Sequence, residues 1–110
     1  MIYRSKALTM LCAAALLALP AAAMAAGRSF YVNNTNAKVS VQRVWYAQAG
    51  TNENWEEVYL DYPIKPNNKS SFTMGSGDVC LYDIKIKFSD GYEQTFENVN
   101  VCRGDGVHAT

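Results

Sequence analysis

The stretch Val79-Cys80-Leu81-Tyr82-Asp83-Ile84-Lys85-Ile86-Lys87-Phe88 decides the fold of this 110-residue chain. Cys80, Tyr82, Ile84, Ile86 and Phe88 recur at every second position and share one face, while Asp83, Lys85 and Lys87 take the other. Strict alternation of this kind marks a half-buried antiparallel strand. Ser89-Asp90-Gly91 follows as a three-residue hairpin loop, with Gly91 in the left-handed position that closes a type I turn with a bulge. In that register Phe88 faces Tyr92 and Ile84 faces Phe96, pairs that suit a packed face. The return strand, Tyr92 to Cys102, changes phase between Phe96 and Val99. A bulge near Asn98 explains the change and carries Cys102 towards Cys80 across the hairpin.

The same period extends outward from the hairpin. Ser29 to Asn33 alternates with Phe30 and Val32 on one face, and Asn33-Asn34-Thr35-Asn36 ends it as a turn. Lys38 to Ala47 sets Val39, Val41 and Trp45 on one face with Arg43 among them, and Val44 and Tyr46 on the other, so a bulge is predicted near Arg43. Gly50 to Ser71 is the least regular part. Asn52-Glu53-Asn54-Trp55-Glu56-Glu57 is predicted to form one helical turn capped by Asn52 or Asn54. Asp61-Tyr62-Pro63 and Lys65-Pro66-Asn67-Asn68 carry turn chemistry. Ser70 to Met74 is a short strand, and Gly75-Ser76-Gly77-Asp78 turns into the long hairpin. Five or six strands with short turns and no βαβ spacing give an all-β class, a compact antiparallel sandwich or barrel.

The N-terminus carries an address. Arg4 and Lys6 precede the apolar run Ala7–Leu19, Pro20 breaks it, and Ala23-Met24-Ala25 offers small side chains at the cleavage positions. This is the order of a secretory signal peptide, residues 1–25, with cleavage after Ala25. The run is shorter than the roughly 20 residues a spanning helix needs, so no membrane span is expected after cleavage. The expected mature protein, residues 26–110, is one small β domain in the periplasm or outside the cell. Of three cysteines, Cys12 leaves with the leader, and Cys80 and Cys102 remain as a pair in an oxidising compartment, where a disulfide is the default. Closing that loop stabilises the fold by about 3 kcal/mol on the chain-entropy account, a large share for a domain of about 85 residues. The leader also removes two of ten basic residues against ten acidic ones, leaving a small negative charge and no basic stripe. Nucleic acid is therefore not an expected partner.

Cys80-Leu81-Tyr82-Asp83-Ile84, then Asp90-Gly91, then Asn100-Val101-Cys102 resembles a group of small secreted bacterial β proteins that share a C-x-x-D-[IL] strand, a D-G turn and a closing N-V-C. These proteins also tend to have W-G-x-D-x-L before an I-x-P-G turn. Trp55, Leu60, Ile64 and Pro66 keep that spacing here, with Glu56, Val58 and Asn67 in place of the Gly, the Asp and the second Gly. What the resemblance implies is structural: a disulfide-closed β domain. The name argininosuccinate lyase, which some of these proteins carry, cannot apply, because about 85 residues cannot build that enzyme's large helical, tetrameric fold.

Chemistry-bearing residues are few. His108, the single histidine, lies two residues from the C-terminus, where a mobile chain holds no base in place. Glu56 and Glu57 are adjacent and on a strand point to opposite faces, which makes no carboxylate pair. Asp78, Asp83 and Asp90 lack a calcium-loop pattern. Arg103-Gly104-Asp105 spells an adhesion tripeptide, but a flexible polar tail is the simpler expectation. No catalytic, cofactor-binding or metal site is predicted. Trp55 has two possible roles: plugging the open end of the sandwich, which is the expectation, or standing exposed with Tyr59 and Tyr62 as an aromatic recognition loop. The function expected from the sequence is a secreted, non-enzymatic β module that binds a protein, a glycan or another envelope component through the Trp55 to Tyr62 loop. The alternative is a small extracytoplasmic inhibitor that blocks a hydrolase with an inserted loop.

Overall fold

A computed structural model describes residues 27–51 and 53–110; the expected leader and its cleavage site, and the candidate cap Asn52, lie outside the described residues. Seven strands run in chain order: β1 (Arg28–Asn34), β2 (Val41–Gln48), β3 (Glu56–Val58), β4 (Lys69–Gly75), β5 (Leu81–Phe88), β6 (Glu93–Asn100) and β7 (Gly106–Ala109). They form two sheets, of order β4-β1-β7 and β3-β2-β5-β6, so the choice between sandwich and barrel falls to a sandwich. Phe30, Val32, Val107 and Ala109 enter the core from the three-stranded sheet; Val41, Val44, Ile84, Ile86, Phe88 and Val99 enter from the four-stranded one. Ile64 and Val101, on connections, complete it.

The central hairpin has the predicted register. Ile84 faces Phe96, and the loop is closed by the Gly91 N–H donating to the Phe88 carbonyl and the Phe88 N–H to the Tyr92 carbonyl. Gly91 has φ +95°, and the Phe88 and Tyr92 rings stack at 6.2 Å. Ile84 pairs with Phe96 but Tyr82 pairs with Val99, so β6 carries one extra residue, and Asn98 takes φ +58° within it. This is the bulge that the phase change demanded. Beyond it the Cys80–Cys102 disulfide closes the hairpin across a Cα–Cα distance of 5.1 Å. A second bulge, between Val41 and Arg43 of β2, lets Val41 and Val44 both face the core and turns Trp45 outward.

Three expectations are corrected. The Asn52 to Glu57 stretch is not a helical turn: Glu56–Val58 is extended and pairs with β2. Cross-strand partners decide it, since Glu57 lies opposite Trp45 and reaches Arg43, and Glu56 accepts from the Tyr46 hydroxyl at 2.9 Å. The C-terminal residues are not a flexible tail. Gly106–Ala109 is a seventh strand, parallel to β1, so the sandwich is not wholly antiparallel. Val107 and Ala109 are 3% and 0% exposed, and their burial together with backbone pairing along an otherwise unpaired edge of β1 offsets the ordering of four residues. Alternation predicts Asp83 on the solvent side of β5, yet it is 3% exposed. It sits beneath two backbone kinks: Oδ1 accepts the Asn98 N–H at 3.0 Å and Oδ2 accepts the Gly50 N–H at 3.4 Å.

A second buried polar residue fixes the other end. The Asn34 side chain, fully buried, donates to the carbonyls of Val39 and Ile64, both at 2.9 Å, and accepts from the Asn36 N–H at 3.0 Å. Its backbone bonds to Asn67 and Asn68, so one residue ties β1 to the β1–β2 and β3–β4 connections.

Candidate functional site

Trp55 does not plug the sandwich. It is half-buried on the outer face of the four-stranded sheet, where its ring lies 4.6 Å from the Lys85 ammonium. The same ammonium stands 4.9 Å from Trp45, whose ring also meets the Arg43 guanidinium at 4.8 Å. Arg43 in turn grips Glu57 with two hydrogen bonds of 2.8 and 2.7 Å. Register builds this row, because Glu57, Trp45 and Lys85 are direct cross-strand neighbours on one face. The ion pair holds the Glu57 carboxyl below its ordinary range and raises Arg43 above its own. Each tryptophan is thus occupied by a cation of its own chain. Such surface contacts are worth about 0.5–1 kcal/mol each, enough to fix the loop's path over the sheet. Sequence alternation sets Trp45 with Val39 and Val41; the bulge near Arg43, which turns it outward beside Lys85, is the available signal.

Tyr59 and Tyr62 behave differently. They are 83% and 81% exposed, and they belong to an excursion that leaves the sheet after β3 and returns at Ile64. Alternation sets the path: Val58 and Leu60 pack against the core, so Tyr59 between them points out. Ile64 is 3% exposed and exchanges two backbone hydrogen bonds with Val41 at 2.9 Å, which nails the return. Pro66-Asn67, with Asn67 at φ +66°, then turns the chain into β4. Between the excursion and β4 runs an open groove of about 380 Å³, lined by Tyr59, Leu60, Tyr62, Pro63, Ser70, Ser71 and Phe72 among others. A second groove, of about 450 Å³, lies on the other side of Tyr59, against Gln42, Glu57 and Val58. The predicted loop is therefore split: Tyr59 and Tyr62 flank one groove, and Trp55 is engaged with Lys85.

The remaining candidates have structural employment. His108, held in β7 rather than in a mobile tail, has Nδ1 3.2 Å from the Asn33 amide nitrogen and sits edge-on to Tyr31. Arg103 and Asp105 close on each other at 2.7 Å around Gly104, whose φ is +73°, so the tripeptide's two charges face inward on one another. Asn100 caps the same turn, accepting from the N–H groups of Cys102 and Arg103. Glu56 and Glu57 diverge to opposite faces, to Tyr46 and Arg43. Among the described residues no helix is long and apolar enough to cross a membrane. Comparison of the chain with protein-family models, with curated proteins and with solved structures finds no match.

Proposed function

We propose that the protein is a non-enzymatic binding module of the bacterial extracytoplasmic space, periplasmic or secreted, which recognises a protein or glycan of the envelope through the Trp55 to Tyr62 segment. Tyr59 and Tyr62 carry the recognition, and Trp55 positions the segment through Lys85. One observation carries the proposal: two tyrosines more than four-fifths exposed flank a single groove on a segment held by the partly buried Val58 and Leu60 at one end and the buried Ile64 at the other. Tyrosine offers a large contact area with little conformational entropy to lose, which is why aromatic side chains concentrate at the centres of binding sites. The disulfide suits an oxidising compartment. The likeness to small secreted bacterial β proteins points the same way.

The test is capture of envelope material by the exported protein, compared with Tyr59→Ser/Tyr62→Ser. The double variant is expected to keep its melting midpoint and lose the captured species. Equal capture by both proteins refutes the tyrosine site. Capture of a single hydrolase at one-to-one stoichiometry, with loss of its activity, moves the protein to the inhibitor class.

A further inference from the structure

We infer that the free edge of β4 takes an extended peptide segment of a partner protein as an added strand, with Tyr59 and Tyr62 as the facing wall. This rests on the proposed function and names the class of its partner and the mode of recognition.

Backbone polarity gives the first support. The Asn34 N–H donates to Asn68 on the β4 side, whereas the N–H groups of Ser29 and Thr35 donate to Val101 and Ala109 on the β7 side. Even-numbered residues of β1 therefore bond to β4 and odd-numbered ones to the opposite neighbour. By the alternation of an antiparallel ladder, Ser70 and Phe72 return those bonds, and the N–H and C=O groups of Ser71 and Thr73 point away from β1. β4 ends its sheet, so no strand among the described residues meets them. Only an extended backbone presents donors and acceptors at the matching spacing, which favours a peptide over a glycan.

The other sheet edges supply the second support. β3 is three residues long, and β7 is four. β6 is bulged at Asn98, and its Gln94 side chain holds Thr110 through two hydrogen bonds. Short strands, bulges and side-chain ties are the devices by which proteins blunt an edge. β4 is seven residues long, contains no proline, and is regular from Lys69 to Thr73. Its one lysine, Lys69, lies over the Tyr31 ring at 4.8 Å.

Shape selects the occupant. The excursion carrying Tyr59 and Tyr62 stands across the groove from Ser70–Phe72, leaving a slot with a hydrogen-bonding wall and an aromatic wall. A second copy of the chain would bring its own excursion to the same slot, whereas a single extended segment needs none of that space. Side chains on one face of the added strand would meet Leu60 and Phe72, and those on the other would face solvent.

The experiment pans a displayed library of random dodecapeptides on the exported protein, then follows amide hydrogen exchange with and without the best peptide. Peptides of alternating apolar and polar residues are expected, with exchange at Ser71 and Thr73 slowed by about tenfold or more on binding. Thr73→Pro, at a position whose N–H makes no bond to β1, is expected to fold and to bind at least about tenfold more weakly. No enrichment, or protection confined to other amides, overturns the inference, and the exchange measurement stands even if the proline variant fails to fold. Envelope material captured through Tyr59 and Tyr62 but retained by Thr73→Pro would sink strand addition and leave the proposed function standing.

Discussion

Replacing Asp83 by alanine should be among the most damaging single changes in this domain, although nothing about an aspartate between Tyr82 and Ile84 on a polar strand face announces it. Its carboxylate is 3% exposed and answers two backbone N–H groups, from the β6 bulge at Asn98 and from the turn at Gly50. Alanine leaves both without an acceptor. A hydrogen bond to a charged acceptor contributes about 1.5–3 kcal/mol; both bonds are part-buried, and the Asn98 bond at 3.0 Å outweighs the Gly50 contact at 3.4 Å, so the sum is roughly 2–4 kcal/mol. In a domain of this size each kcal/mol moves the midpoint by about 4–8 °C, so a fall of roughly 8–32 °C is expected. Asp83→Asn retains one oxygen for Asn98 but turns an NH₂ group towards Gly50, and should lose about half as much. Thermal or urea unfolding with the disulfide intact measures both. If Asp83→Ala melts within two or three degrees of the parent, or if asparagine is as costly as alanine, the two hydrogen bonds do not hold the bulge and the account of Asp83 is wrong.

Trp55→Ala should cost about 1 kcal/mol by urea unfolding, the scale of a surface cation–π contact, rather than the roughly 3–5 kcal/mol of an emptied core site. The Cys80→Ser/Cys102→Ser double variant should lose about 2–5 kcal/mol, and a midpoint that moves by no more than a degree or two would show the bridge to be idle. Burial first, and then the hydrogen bond to Glu56, raise the Tyr46 phenol above its ordinary value. A raised phenol contributes stability that is complete below the ordinary tyrosine range near 10 and disappears as pH climbs through the folded value. The parent should therefore lose stability at alkaline pH more steeply than Tyr46→Phe, and parallel pH–stability curves would contradict this.

Where one face of a strand is buried and its partner is close in sequence, the pattern can be followed to the residue. The β5–β6 hairpin, its Gly91 loop, the bulge at Asn98 and the meeting of Cys80 with Cys102 all come from alternation and its interruptions, because a single inserted residue flips every side chain beyond it. The bulge near Arg43 is legible for the same reason. Alternation fails where partners are distant and the segment is short. Gly106–Ala109 offers only Val107 and Ala109 as a signal, and what makes it a strand is the unpaired edge of β1 more than seventy residues upstream. Glu56–Val58 is polar enough to pass for a capped turn, and its extended form is imposed by Arg43 and Tyr46 on β2.

The site divides along a similar line. A half-buried strand tells which of its faces is apolar, but whether an aromatic on the polar face is free or covered depends on side chains from other strands. Trp55 is held by Lys85, a residue thirty positions away, and so is neither the core plug that the sequence predicts nor a free aromatic. Tyr59 and Tyr62 remain exposed because Val58, Leu60 and Ile64 around them are anchored in the core. The hairpin residues on which the resemblance to small secreted β proteins rests have a different character. Cys80 and Cys102 form the bridge, Asp83 holds the bulge, Asn100 caps the last turn and Val101 fills the core. These members serve the hairpin and its closure and so specify a scaffold, whereas Trp55, Leu60, Ile64 and Pro66 lie between β2 and β4, outside the hairpin. Under the proposed function recognition belongs to the β3–β4 excursion and the β4 edge, where two exposed tyrosines stand beside unpaired backbone.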